Sequence, residues 1–269
     1  MSNHIDFIGE IIELTRRAGA EALKYYERDY SIEEKQDDSP VTEADFASEE
    51  ILIGGLKNSD PGIIAEEAGL IEGNSEDKYW IVDPLDGTQD FIDKTGEFSI
   101  MVGLLERGEP TMGVVFAPAQ EKLWYAAKGE GAYLVEGGTE RKIQVSSKED
   151  LESYVLIASR NHFSAQDEAV AGQLNVKDIV RMGSLGIKFS TIAEGNADLV
   201  YYTTDKLGIW DCCAPQVILE EAGGEAFDLK GRKLTYDLDG RRMKGGIVGL
   251  GGNARSEVVK VIKDNISGV

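Results

Sequence analysis

Apolar residues near the N-terminus recur at helical spacing. Ile5, Ile8, Ile11, Ile12 and Leu14 share one face of a stretch over 5–27, which predicts an amphipathic helix. A second helix is predicted over 43–57, "EADFASEEILIGGLK". The polar run between them, "EEKQDDSPVT", contains Pro40 and reads as a loop. Short apolar stretches follow: "GIIAEE", "YWIVD", "FSIMVGLLERG", "PTMGVVFAP" and "KLWYAAKGEGAYLV". They are rich in β-branched and aromatic residues and are broken by "ERGEP", "APAQ" and "KGEG", which is the pattern of a meandering sheet.

After "SSKED" the pattern alternates. Strand "YVLIAS", a helix near 164–173, strand "DIVRMG", helix "GIKFSTIAEG", strand "ADLVYYT", helix "CCAPQVILEEAGG" and a last helix over 254–264 follow in turn. The change in texture sets a soft boundary near residue 146. We expect an N-terminal α+β lobe at 1–146 and a C-terminal α/β lobe at 147–269, joined in one compact body.

Composition narrows the function. Hydrophobic residues at 42% and charged residues at 29% fit a soluble globular chain. No apolar run approaches the ~20 residues of a membrane helix, and the N-terminus lacks a signal-peptide pattern. The expected location is the cytoplasm. Forty-nine acidic against 28 basic residues give a net charge of −21, which argues against nucleic acid polymers, because binding them demands a basic face. A small phosphorylated ligand stays open if metal ions screen it. Most of the acids read as solvated surface. The two cysteines, Cys212 and Cys213, are adjacent and make neither a disulfide framework nor a zinc site. With only His4 and His162 as imidazoles, a metal site must be built from oxygen ligands, which favours Mg²⁺.

Such oxygens occur at strand ends. "YWIV" reads as a buried strand that delivers Asp83 at its carboxyl end, where Pro84 keeps Asp83 extended. Asp86 follows one short turn later, so both carboxylates can converge with the Leu85 carbonyl between them. Gly87 permits close backbone approach, and Thr88 opens a short helix whose N–H groups could hold a phosphate. "GIIAEEAG" puts Glu66 and Glu67 at the end of another strand, and "GIWDCCAP" puts Asp211 just before a helix. Each alone reads as a cap or a solvated strand end. Together they imply a cation, because converging carboxylates repel unless one neutralises them.

"DPLDGT" with Phe91, and "WD" leading into "CAPQVILEEAGG", resemble the inositol monophosphatase superfamily of Mg²⁺-dependent, often lithium-inhibited phosphatases. The resemblance extends from "VTEAD" at 41–45 to "AGG" at 222–224. It implies a layered αβαβα sandwich of the sugar phosphatase type, an α/β (α+β) fold with its site between the lobes. It also implies two or three Mg²⁺ ions bound by Glu66, Asp83, the Leu85 carbonyl, Asp86 and Asp211. Thr88 and Glu66 would orient the attacking water, with Glu67 and Asp45 associated with a weaker metal position. Gly87, Thr88 and Asp211 would lie at the substrate. Most ligands fall in the first lobe, and Asp211 in the second. Dimers occur in the superfamily, so a homodimer is open to this chain.

"ASRNH" at 158–162 resembles the Ser-Arg-Ser-His stretch of 3′(2′),5′-bisphosphate nucleotidases, as "GSLGIKF", "AEGNADLVYY" and "GEFSIMVGL" resemble their counterparts. This implies removal of the 3′-phosphate of adenosine 3′,5′-bisphosphate to give AMP. His162, Ser184 and Lys188 would then lie near the nucleotide, with Lys188 against its second phosphate. Read alone, Ser184 is a helix cap, Lys188 a solvated helix residue and His162 a strand-end polar residue. "YTTDKLGI" matches no subfamily, which keeps inositol 1-phosphate, fructose bisphosphate and histidinol phosphate open as substrates. A metal or phosphate sensor without catalysis is the rival from another class, although it could lose Thr88 or Glu66, and this chain keeps both.

Overall fold

The computed structural model describes residues 4–28, 30–35 and 40–266 of the chain. Helix α1 (His4–Tyr26) and helix α2 (Glu43–Leu56) form as their periodicity predicts. The Ile5 and His4 side chains lie outside the described residues. Between the helices, where a loop was expected, β1 (Ile32–Glu34) pairs antiparallel with β2 (Pro40–Thr42); residues 36–39 lie outside the description. The strands are three residues long and β1 is fully exposed, so no alternating apolar pattern announces them. A capping box opens α2: Thr42 accepts the Ala44 N–H, and its own N–H donates to Asp45.

The meander is real but extends further than its apolar runs. Its elements are β3 (Gly62–Ala65), β4 (Gly69–Ile71), β5 (Lys78–Asp86), α3 (Thr88–Ile92), β6 (Ser99–Glu106), β7 (Glu109–Ala117), β8 (Lys122–Ala127), β9 (Gly131–Glu136) and β10 (Thr139–Ile143). The strands form one sheet in the order β10-β9-β8-β7-β6-β5-β3-β4. Every neighbouring pair is antiparallel except β3 and β5, which run parallel.

The alternating half supplies β11 (Val155–Ser159), α4 (Ala165–Leu174), β12 (Asp178–Met182), α5 (Leu185–Ala193), β13 (Leu199–Tyr202), α6 (Trp210–Glu221), β14 (Glu225–Phe227), β15 (Ile247–Leu250) and α7 (Arg255–Asn265). Its five strands lie in the order β12-β11-β13-β15-β14. Strands β12, β11 and β13 of the alternating half pair parallel, whereas β14 and β15, which the alternating pattern did not announce, join antiparallel.

Strand alternation sorts side chains into three cores. Trp80, Val82, Ile100, Val102 and Leu104 pack under α1 and α2. Ile81, Met101, Leu105 and Val115 point to the opposite face, against Phe189 of α5 and Val217 and Ile218 of α6. Leu156, Leu199, Val248 and Leu250 bury the far face of the second sheet against Val170 of α4 and Val258 and Ile262 of α7. The result is five layers, αβαβα, as the resemblance implied. Helix α6 lies directly on β7: a Cβ at Gly113 would sit 2.2 Å from the Ala214 carbonyl oxygen. That close approach brings the start of α6 to the edge of the sheet where β3 and β5 end.

Candidate active site

The parallel register pairs Ala65 with Val82, so the next residues, Glu66 and Asp83, leave adjacent strands at the same edge. The Glu66 N–H donates to the Val82 carbonyl at 3.2 Å. Strand β5 does not stop at Asp83, however. It continues to Asp86 with one extra residue against β6, since Asp83 faces Met101 and Asp86 faces Ser99. Pro84, which has no N–H to give, sits in that bulge. The Leu85 N–H turns back to Asp83 Oδ1 at 3.0 Å. Gly87 follows with φ +92, and a Cβ there would lie 3.0 Å from the Glu97 carbonyl oxygen, so the turn into α3 requires glycine.

Asp211 lies in the first turn of α6, one step inside the helix it was expected to precede, and its Oδ2 accepts the Gly208 N–H at 2.5 Å. One carboxylate oxygen each from Asp83, Asp86 and Asp211 falls within 4.8 Å of the others. Asp86 Oδ2 is held by the Ser184 hydroxyl at 2.6 Å and the Gly186 N–H at 2.8 Å. Ser184 caps α5 through the Ile187 N–H, touches Ser99 Oγ at 2.9 Å and adopts φ +48, a strained angle for a residue with a side chain. Its hydroxyl, expected near the nucleotide, is thus spent on Asp86 and on the cap.

Thr88 Oγ1 lies 3.2 Å from Asp45 Oδ1 and 3.2 Å from the Leu85 carbonyl oxygen. Asp45 Oδ2 accepts from both the N–H and the hydroxyl of Thr42. Next to them, the Lys35 ammonium holds Glu66 Oε1 at 2.8 Å and also pairs with Glu67. Glu49 accepts the N–H groups of Glu67 and Ala68, which fixes the turn carrying both glutamates.

The electrostatics of this cluster run against ionisation. Burial first, then Glu66, Asp86 and Asp211, push the Asp83 carboxyl well up; burial, Asp86 and Glu66 do the same to Asp211. Glu66 is pushed up to about 7 by burial, with Lys35 opposing, and Asp45 to about 6, with Thr42 opposing. For Lys35, burial lowers the pKa but Glu66 and Glu67 outweigh it and raise it. Carboxylates so strained want a cation, and the Lys35 ammonium already sits on two of them. The donors are all oxygens, so the residues present fit a hard divalent ion such as Mg²⁺.

A second group lies beside the first. Lys188 is 2% exposed in α5, and burial lowers its ammonium to about 8. His162 sits at the surface after β11; burial, then Lys188 and Lys206, lower its pKa. The structure keeps His162 outside the carboxylate cluster. Sequence reasoning missed four residues here: Lys35, Asp90, Glu97 and Arg160. Lys35 was hidden in the polar run, and the other three meet only across more than sixty positions of chain.

A sequence model of the inositol monophosphatase family matches residues 6–263. The chain belongs to the inositol monophosphatase family. It is therefore a phosphatase, with hydrolysis of phosphate esters as its chemistry. Within the family it is 36% identical over 234 residues to the 3′(2′),5′-bisphosphate nucleotidase CysQ of Salmonella typhimurium, covering 84% of this chain and 92% of that one. It is 33% identical to the Nus factor SuhB of Pasteurella multocida, over 82% of this chain and 84% of that protein. The solved structure of an IMPase from Thermotoga maritima superposes with a TM-score of 0.83 at 28% identity, covering 96% of this chain and 97% of that one. No helix among the described residues is long and apolar enough to cross a membrane.

Proposed function

We propose that the chain is a Mg²⁺-dependent phosphomonoesterase that removes the 3′-phosphate of adenosine 3′,5′-bisphosphate and leaves AMP. The observation that carries this reading is the pairing of a carboxylate cluster with a separate cation, Lys188, so that each of two phosphates has its own partner. Similarity to the Salmonella nucleotidase supports the same substrate.

In this reading Glu66, Asp83, the Leu85 carbonyl, Asp86 and Asp211 would hold two or three Mg²⁺ ions, with Glu67 and Asp45 at the weaker position. Bound there, Mg²⁺ lowers the pKa of water and screens the phosphate and the developing alkoxide. Thr88 donates a hydrogen bond to Asp45, which leaves the Oγ1 lone pairs free to accept a hydrogen bond from the attacking water, while Glu66 orients its other side. The water adds to phosphorus as the P–O3′ bond breaks in line, and the leaving oxygen takes its proton from solvent. Gly87 and Thr88 meet the scissile phosphate at the start of α3. Ser184 acts through Asp86, and Lys188 with His162 holds the 5′-phosphate. Most of this machinery falls in the lobe before residue 146, and Asp211, Lys188 and His162 in the lobe after it. Two buried thiols suit a reducing cytoplasm.

Phosphate release with Mg²⁺ from adenosine 3′,5′-bisphosphate, inositol 1-phosphate, fructose 1,6-bisphosphate and histidinol phosphate tests the proposal. The nucleotide should lead in kcat/KM by at least about tenfold, the worth of one charge-assisted hydrogen bond. Preference for inositol 1-phosphate would overturn the substrate, and no release from any compound would favour a sensor.

A further inference from the structure

Beside the acidic cluster lies a network that the hydrolytic chemistry leaves unused. The Asp90 side chain is 4% exposed and is enclosed by three donors: Arg160 Nη1, Asn161 Nδ2 at 3.1 Å and Thr95 Oγ1 at 2.9 Å. The same guanidinium reaches Glu97 through Nη2 at 2.8 Å. Glu97 in turn accepts the Gly183 N–H at 2.7 Å, and Gly183 lies flat against the Asp90 carboxylate. Ser184 comes next, and its carbonyl accepts the Lys188 N–H at 3.2 Å, so the clamp ends one helical turn from Lys188. On its other side Arg160 stands two residues before His162, whose N–H is tied to Ser159 Oγ at 3.1 Å.

Among the described residues the Lys188 ammonium makes no hydrogen bond or ion pair; it lies 5.7 Å from the centre of the Tyr202 ring. Asp86, Asp90 and Glu97 all face this ammonium; the first is held by the Ser184 hydroxyl and the Gly186 N–H, and the other two would ordinarily capture such a cation. Arg160 prevents this by occupying both, which a planar fork of donors can do and a point-charge ammonium cannot do as well. Its guanidinium is committed to Asp90, Glu97 and, at 3.5 Å, the Arg181 carbonyl.

We propose that Arg160 is a positioning residue for the second-phosphate subsite: by holding Asp90 and Glu97 it leaves Lys188 uncommitted. The proposal rests on the bisphosphate reading above. Without Arg160, Asp90 and Glu97 pair with Lys188, and the subsite changes from cationic to anionic.

The test compares the wild type with Arg160→Met, Arg160→Lys and the triple variant Arg160→Met/Asp90→Asn/Glu97→Gln. Steady-state kinetics with Mg²⁺ on adenosine 3′,5′-bisphosphate and adenosine 3′-phosphate are joined by the rate of reductive methylation of Lys188 without substrate, read by mass spectrometry. Arg160→Met should raise KM for the bisphosphate about ten- to hundredfold, the range of one charged hydrogen bond, with kcat little changed and the mononucleotide unaffected. It should also slow Lys188 methylation severalfold. Arg160→Lys should fall between. The triple variant, which removes the competing carboxylates and leaves no unpaired charge, should restore both KM and methylation. A triple variant that methylates normally but keeps the raised KM would show that Arg160 binds phosphate itself, and overturn the proposal. Equal losses on both substrates, or an unchanged Lys188 rate in Arg160→Met, would overturn it as well. A wild type indifferent to the second phosphate would sink the bisphosphate reading alone, because the methylation rates judge the clamp without any substrate.

Discussion

The acidic pocket and the cationic edge lie side by side and are held in opposite ways. In the pocket, Asp83, Asp86 and Asp211 are fixed by backbone N–H groups of Leu85, Gly186 and Gly208 while their charges repel one another. At the edge, Arg160 is saturated by Asp90 and Glu97, and Lys188 is left over. The pocket is short of positive charge and the edge has one cation to spare. Electrostatic strain is thus kept where a ligand charge will relieve it and removed where it would trap the ligand's partner.

The sharpest way to break this contrast is to neutralise the pocket. Asp83→Asn or Asp211→Asn should lower kcat on the order of 10³-fold, the scale of losing a preorganised electrostatic group at the reacting centre. The same variants should melt a few degrees higher than the wild type in chelator, because each removes a buried like charge. Phosphate release and thermal melting in EDTA check both halves. Near-normal turnover would dismantle the pocket as an active site, and a lowered melting temperature would mean that these carboxylates serve the fold instead.

The two regions also differed in how far the sequence revealed them. Asp83, Asp86, Glu66 and Asp211 were legible because each follows a short apolar strand or opens a helix, a signal contained within a few residues. The bulge that keeps Asp86 within β5 was not legible, since it depends on the register against β6. Nor was the parallel pairing of β3 with β5, which alone explains why Glu66 meets Asp83. Ser184 was assigned to the nucleotide because its motif carries no mark of the Asp86 carboxylate it binds. The edge was harder still. Arg160 finds Asp90 across 70 positions, and Glu97 finds Gly183 across 86, separations at which no local pattern survives. The layered fold was readable from periodicity and resemblance, whereas β1, β2 and β14, at three residues each, were too short to leave a pattern.

A gentler probe titrates the edge. Burial lowers Lys188 to about 8, so its ammonium is present below that pH and lost as pH rises through it. KM for adenosine 3′,5′-bisphosphate should therefore climb above pH 8, by up to about tenfold per unit, while KM for adenosine 3′-phosphate stays level. Because bound phosphate restores the proton, the change should appear in kcat/KM far more than in kcat. Parallel profiles for the two substrates would remove Lys188 from the second-phosphate subsite.

The smallest effect separates the pocket from an ordinary acidic surface. Glu66 rises from 4.5 to about 7 in the fold and Asp45 from 3.8 to about 6, with Asp83 and Asp211 moving in the same direction. A raised folded-state value means that the native protein binds more protons than the unfolded chain between the two values. Stability without metal must then fall as pH rises from about 4 towards 7, the reverse of a carboxylate held in a favourable salt bridge. The Lys35 pairs with Glu66 and Glu67 blunt the decline and do not reverse it. Saturating Mg²⁺ binds the deprotonated carboxylates, so its stabilisation should grow over the same range. Melting curves from pH 5 to pH 8, in EDTA and in Mg²⁺, should diverge by several degrees towards the alkaline end. Curves that stay parallel would mean that the pocket's carboxylates are already ionised and balanced by protein groups, and the contrast with the cationic edge would then be one of shape alone.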